Sequence, residues 1–134
     1  MNSQLKRSGL RKRLAILLWA TDPGTPHLCG TPFFHAAAAG AMDTEVEMYF
    51  TSKSVRLLEQ GVAERLYPGP ARDRTVGEYM AHALEHGAKF YACSQSMLAH
   101  DVRAEMLIDG VSGQAGAAAW IGRCMDEDWV TLIY

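Results

Sequence analysis

The stretch Arg13-Leu14-Ala15-Ile16-Leu17-Leu18-Trp19 is a near-continuous apolar run. A strand with one wet face alternates apolar and polar side chains, so an unbroken run predicts a strand covered on both sides, as in the parallel sheet of an α/β protein. The rest of the chain supplies matching parts. Thr44 to Thr51 reads as a second strand, with Val46, Met48 and Phe50 alternating against Glu45, Glu47 and Tyr49, a pattern that predicts less complete cover than the first. Lys89-Phe90-Tyr91-Ala92-Cys93 reads as a third strand, a short strand is expected around Val111, and Trp129 to Tyr134 reads as the last.

Helical segments lie between them. Thr31-Pro32 is a cap followed by proline at the first helical position, opening a helix through Phe33, Phe34 and the run Ala36 to Ala39, with Gly40 in its last turn. Ser52 or Ser54 caps a short helix holding Val55, Leu57, Leu58 and Val62. Thr75-Val76-Gly77-Glu78 has the form of a capping box, and Val76, Met80, Ala83 and Gly87 share one face of the helix that follows. Further helices are expected from about Ser96 to Val102 and from Gly113 to Cys124. This alternation predicts a parallel sheet with right-handed crossovers, helices on both faces and ligand chemistry at the carboxyl ends of the strands.

At 134 residues and 49% hydrophobic, the chain is sized for one domain, expected over 13–134. Formal net charge is −2, yet Lys6, Arg7, Arg11, Lys12 and Arg13 precede any acid, so residues 1–12 are expected to form a basic flexible leader on an acidic body. Basic charges without interleaved aromatics make a poor nucleic-acid footprint, and no nucleic-acid partner is expected. The leader has the outline of a signal peptide, but the apolar run is short, stops at Thr21-Asp22-Pro23-Gly24 and offers no small-x-small cleavage pattern. No segment approaches membrane-spanning length, so no membrane association is expected. Cys29, Cys93 and Cys124 are an odd number of cysteines without an export signal, which predicts free thiols in the cytoplasm.

The chemistry is expected at Cys93, where a strand opens onto the helix start Ser94-Gln95-Ser96 and unpaired backbone N–H groups stabilise a thiolate. Cys29, two residues before Thr31, would share that effect at the same sheet edge, and the two thiols could resolve one another's persulfide or sulfenic acid. His27, in the loop with Cys29, and His100, seven residues after Cys93, are placed to assist deprotonation. Cys93 and Cys29 are thus the candidate catalytic thiols, with Ser94, Gln95, Ser96 and His27 as binding candidates. Cys124 is expected to pack structurally. His82 and His86 have metal-ligand spacing, but the segment lacks a Glu directly after the first His, and a solvated polar face is expected. Without a phosphate-binding glycine loop, a dinucleotide fingerprint or a Cys-x-x-Cys pair, no cofactor and no metal is expected.

Three segments resemble the DsrE/DsrF-like family, including its DsrE-type members often labelled peroxiredoxin-like. They are Lys89-Phe90-Tyr91-Ala92-Cys93-Ser94-Gln95-Ser96-Met97, Glu105-Met106-Leu107-Ile108-Asp109-Gly110-Val111, and Glu45-Val46-Glu47-Met48-Tyr49-Phe50-Thr51 before an amphipathic helix. The resemblance implies a three-layer α/β/α sandwich with a mostly parallel five-stranded sheet. It further implies a sulfur relay, in which the cysteine matching Cys93 takes a persulfide from a donor protein and passes it to a small sulfur-carrier acceptor protein, within a homotrimer or hexamer. The loop Thr21 to Gly30 and the stretch His100-Asp101-Val102 depart from the family pattern. The leading expectation is an intracellular sulfur-transfer protein, a sulfurtransferase or persulfide carrier, that uses Cys93. Two other readings stay open: a non-catalytic oligomeric binding subunit of a sulfur-relay complex, and a thiol redox sensor using Cys29 and Cys93.

Overall fold

Right-handed crossovers dictate how this sequence stacks its layers. In the computed structural model, which describes residues 13–134, the strands are β1 (Arg13–Leu18), β2 (Val46–Phe50), β3 (Lys89–Ala92), β4 (Val111–Gln114) and β5 (Trp129–Ile133). The basic leader expected over 1–12 lies outside the described residues. The strands form one sheet in the order β4-β3-β2-β1-β5, and every neighbouring pair is parallel. The helices are α1 (Thr31–Ala41), α2 (Val76–Glu85), α3 (Ser94–Ala99) and α4 (Ala117–Met125), with short 3₁₀ turns between. From β1 to β4 the chain steps one way across the sheet, which puts α1, α2 and the 3₁₀ segment Ser52–Leu58 on one face. The return from β4 to β5 reverses direction and puts α4 on the other. The expected α/β sandwich with a five-stranded sheet is therefore the fold found, and its sheet is parallel throughout.

Alternating side chains divide the core accordingly. Ile16, Leu18, Met48, Phe50 and Phe90 meet Phe33 of α1 and Val76 and Met80 of α2. Phe33, Phe50 and Phe90 form an aromatic triangle with ring centroids 5.1 to 6.0 Å apart. On the opposite face Ala15 and Tyr49 pack against Trp120 of α4 and Trp129 of β5. Helices α1 and α2 approach closely at Gly40, where a Cβ would stand 2.2 Å from the His86 carbonyl oxygen, so no larger residue fits without moving a helix. The capping box at α2 is formed as read: the Glu78 N–H donates to Thr75 Oγ1 at 3.1 Å and the Thr75 N–H to Glu78 Oε1 at 3.0 Å.

Four local expectations are corrected. β2 is buried along its whole length, including Glu47 and Tyr49, because α4 covers the face that the alternation assigned to water. At α1 Gly30 holds the cap position and Thr31 is the first helical residue, with no side-chain cap. Helix α3 starts at Ser94 and ends at Ala99, so Cys93 itself is the capping residue. Helix α4 starts at Ala117 rather than Gly113, since Gly113 and Gln114 pair with Tyr91 and Ala92 as part of an edge strand.

Candidate functional site

Neighbouring strands β3 and β4 send their following helices to opposite faces of the sheet. Met97 of α3 joins the core beside α1 and α2, whereas Trp120 of α4 packs on the other side. A parallel sheet opens a crevice beyond its carboxyl ends at such a divergence. A cavity of about 500 Å³ occupies this place, walled by Tyr49, Phe50 and Trp120 and bounded by the first turns of α3 and α4. Cys93 opens into it.

Local structure fixes the Cys93 thiol. Its N–H donates to the Phe50 carbonyl at 2.9 Å, extending the β2–β3 ladder, while its own carbonyl accepts the Met97 N–H at 2.9 Å and starts α3. Half-buried, the thiol would be pushed upward by desolvation. Hydrogen bonds from the Ser96 hydroxyl and N–H, the Thr51 hydroxyl and the Gln95 N–H outweigh that and bring its pKa below the ordinary 9.0. The Ser96 hydroxyl is itself oriented. It accepts the Ser52 N–H at 2.7 Å and stands 3.2 Å from Thr51 Oγ1. Ser52 adopts a left-handed φ of 54°, which aims that N–H; for a non-glycine residue this conformation costs about 1 kcal/mol.

The second wall rests on a buried polar group. Arg123 of α4 donates to the Glu47 carboxylate through Nε at 2.8 Å and Nη2 at 3.2 Å, and the Tyr49 hydroxyl donates to Glu47 Oε1 at 2.6 Å. The Arg123 guanidinium also lies 4.1 Å over the Trp129 ring. Burial works to raise the Glu47 pKa, but the bonds from Arg123 and Tyr49 prevail and hold it below the usual 4.5. Burial first, then the bond to Glu47, pushes Tyr49 up to about 12, so it stays a neutral donor. These contacts seat α4 on the sheet with Trp120 facing the cavity.

The structure separates the residues singled out from the sequence. Gln95, Ser96 and His100 line the cavity with Cys93, whereas Ser94 is exposed and does not. His27 lines a separate cavity of about 250 Å³ with Phe34 and Tyr79. Cys29 is fully buried in the core on the α1 side of the sheet and lines no part of the Cys93 cavity. Its thiol points to the carbonyl oxygens of Asp22 and Thr25, at 3.3 and 3.4 Å, rather than to N–H groups. Burial, with a smaller push from the Asp22 charge, raises its pKa to about 12, opposite to the expected lowering. Cys124 is exposed rather than packed. His82 and His86 place their Nε2 atoms 3.0 Å apart, but among the described residues no group of three or more His, Cys, Asp or Glu side chains could hold a metal ion. Sequence reasoning missed the roles of Thr51, Ser52, Tyr49 and Trp120. The one local hint was an acid in an otherwise apolar-aromatic strand.

The fold and site together define a small parallel α/β protein with a half-buried cysteine at the mouth of a largely apolar cavity. Over residues 15–128 the sequence matches the DsrE/DsrF-like family, and the chain belongs to that family. Among solved structures the fold is similar to that of the ychN protein from E. coli, with a TM-score of 0.72 and 14% identity over 92% of this chain and 99% of that one. It is also similar to MTH1491 from Methanobacterium thermoautotrophicum, with a TM-score of 0.63 and 18% identity over 92% of this chain and 99% of that one. BT1422 from Bacteroides thetaiotaomicron follows at a TM-score of 0.62 and 14% identity, over 89% and 94% of the two chains. No curated protein sequence matches the chain. Among the described residues no helix is long and apolar enough to cross a membrane.

Proposed function

We propose that this protein carries sulfur as a persulfide on Cys93, within a cytoplasmic relay. The observation that carries the reading is a half-buried thiol at the start of α3 that opens into a cavity shared with Thr51, Gln95 and Ser96, whose groups favour its thiolate. Membership of the DsrE/DsrF-like family supports it at the coarser level of sulfur relay. In the reaction, the Cys93 thiolate attacks the outer sulfur of a donor persulfide, the donor S–S bond breaks and the donor leaves as a thiolate. Cys93 then holds an outer sulfur that an acceptor thiolate removes by the same step in reverse. Ser96, Thr51 and the N–H groups of Gln95 and Ser96 stabilise the anion before loading and after release. The exchange partners on this reading are a persulfide donor protein and a small sulfur-carrier acceptor protein.

A homotrimer or hexamer is part of the proposal. Exposed Ile121 and Met125 on α4 and Val130, Leu132 and Ile133 on the edge strand β5 give it an apolar surface to use. The surroundings of Cys29 favour neither a second carrier thiol nor a Cys29–Cys93 sensor. Incubation with a persulfide donor followed by mass measurement tests the reading. One added sulfur on the wild type and none on Cys93→Ser is expected; no addition, or equal addition to both, would sink it.

A further inference from the structure

The Cys93 cavity is far larger than its cargo. An outer sulfur atom needs little room beyond the thiol, whereas about 500 Å³ falls within the range of sites that enclose small organic molecules. Its walls also have a definite chemistry. Tyr49, Phe50 and Trp120 supply aromatic faces, and Ala99, Ala115 and Ala117 leave the space between them unfilled. Among the described residues, those lining the cavity include no Lys, Arg, Asp or Glu. Behind the Tyr49 and Trp120 wall Glu47 and Arg123 are committed to one another, and on the other side Arg56 donates to the carbonyl of His100. Apart from the donors gathered at the Cys93 thiol, the polar side chains of the lining are Ser52 and His100, so a carboxylate or sulfonate on the body of a thiol would meet aromatic and alanine walls without a Lys or Arg partner.

Resting on the persulfide-carrier reading, we propose that one of the two exchange partners of Cys93 is a small uncharged organic thiol with an aliphatic or aromatic body, which seats in this cavity. The step balances without an oxidant. The Cys93 thiolate attacks the outer sulfur of R–S–SH, the R–S–S bond breaks, R–S⁻ leaves, and Cys93 becomes Cys–S–SH with the proton kept on the transferred sulfur. In the opposite direction R–S⁻ removes that sulfur and restores the Cys93 thiolate. The apolar walls bind R, and the donors at Ser96, Thr51 and Gln95 hold the anionic sulfur.

The test loads the full chain with one sulfur on Cys93 from inorganic polysulfide. Intact mass then follows loss of that sulfur to benzyl mercaptan, mercaptoethanol, mercaptoacetate, hydrosulfide and a short cysteine peptide, each rate divided by that of the same thiol with free cysteine persulfide. Benzyl mercaptan should exceed mercaptoacetate by at least about tenfold, the scale on which an apolar pocket discriminates. In Ala117→Trp, with unfolding measured to confirm that it folds, the added ring should bring that ratio towards one. A flat order across thiols, or a ratio that survives Ala117→Trp, overturns the inference. A preference shown only by a cysteine peptide overturns it too, and assigns the cavity to a protein segment. A second arm keeps the cavity claim separate from sulfur transfer, using benzyl alcohol, which cannot exchange sulfur, on the unloaded protein. Saturable chemical-shift changes at the cavity, lost in Ala117→Trp, support the ligand class even if Cys93 never loads; absence of binding overturns it even if loading succeeds.

Discussion

Cys29 and Cys93 both stand within two residues of a helix start at the carboxyl edge of one sheet, yet their thiols face opposite environments. Cys93 meets hydroxyl and N–H donors and opens to a cavity; Cys29 meets two carbonyl oxygens in a closed core. A donor stabilises a thiolate and an acceptor stabilises a thiol, so nearness to a helix start does not decide reactivity by itself. What decides it is which atoms the sulfur turns towards and whether water reaches it. In Cys93 the strand ladder runs on through its N–H and α3 begins on its carbonyl, and the residue lines the cavity together with Gln95 and Ser96 of the first turn. In Cys29 the loop folds back, and the side chain enters the core before α1 begins.

The contrast can be broken most sharply by alkylation with peptide mapping at neutral pH. Cys93 should react more than about 10³-fold faster than Cys29, given a Cys29 thiol pushed up to about 12 and closed to solvent. Comparable rates would remove the distinction.

Next in size is Glu47→Gln, which tests whether the wall opposite Cys93 is held by its buried ion pair. It should cost about 2 kcal/mol, as expected for weakening charge-assisted bonds to a largely buried group, while leaving the packing around Cys29 untouched. Because the folded-state pKa of Glu47 is depressed, its stabilisation is present above the unfolded value and is lost as pH falls through the folded value. Denaturant unfolding should therefore show the wild-type advantage shrinking in strong acid. An advantage independent of pH would contradict the ion-pair account.

Ser96→Ala should slow Cys93 alkylation at neutral pH roughly tenfold, the scale of one hydrogen bond to a charged group, and move its pH profile upward. Ser96→Thr, which keeps the hydroxyl, should recover most of the rate. The smallest effect is expected from Cys29→Ala, a loss of about 1 kcal/mol on deleting a buried sulfur and its two weak bonds. The Cys93 profile should stay in place; a shift would mean that the two thiols are coupled.

Much of this architecture was legible locally. The apolar run of β1, the capping box of α2 and the strand-to-helix junction at Cys93 each depend on neighbours in sequence, and each is found where it was read. Burial of Glu47 was not legible, because the partner that makes it tolerable, Arg123, lies 76 residues away. The start of α4 was misread because Gly113 to Ala117 is a run of small residues and one Gln that suits an edge strand and a helix equally. At the site, the position of Cys93 was visible. Its Thr51 and Ser52 partners were not, since only the sheet register brings the end of β2 beside the end of β3. Cys29 was misjudged for a related reason: proximity to a helix start can be read from sequence, but the direction of a side chain in an irregular loop cannot.

The most direct measurement is the alkylation rate of Cys93 as a function of pH, resolved by peptide mapping with Cys29 as the internal reference. The donors around Cys93 predict a profile whose midpoint lies below the unperturbed cysteine value of about 8.5, with Cys29 still unreactive across the same range. A Cys93 midpoint at or above about 8.5 would contradict the claim that this junction holds an activated thiol.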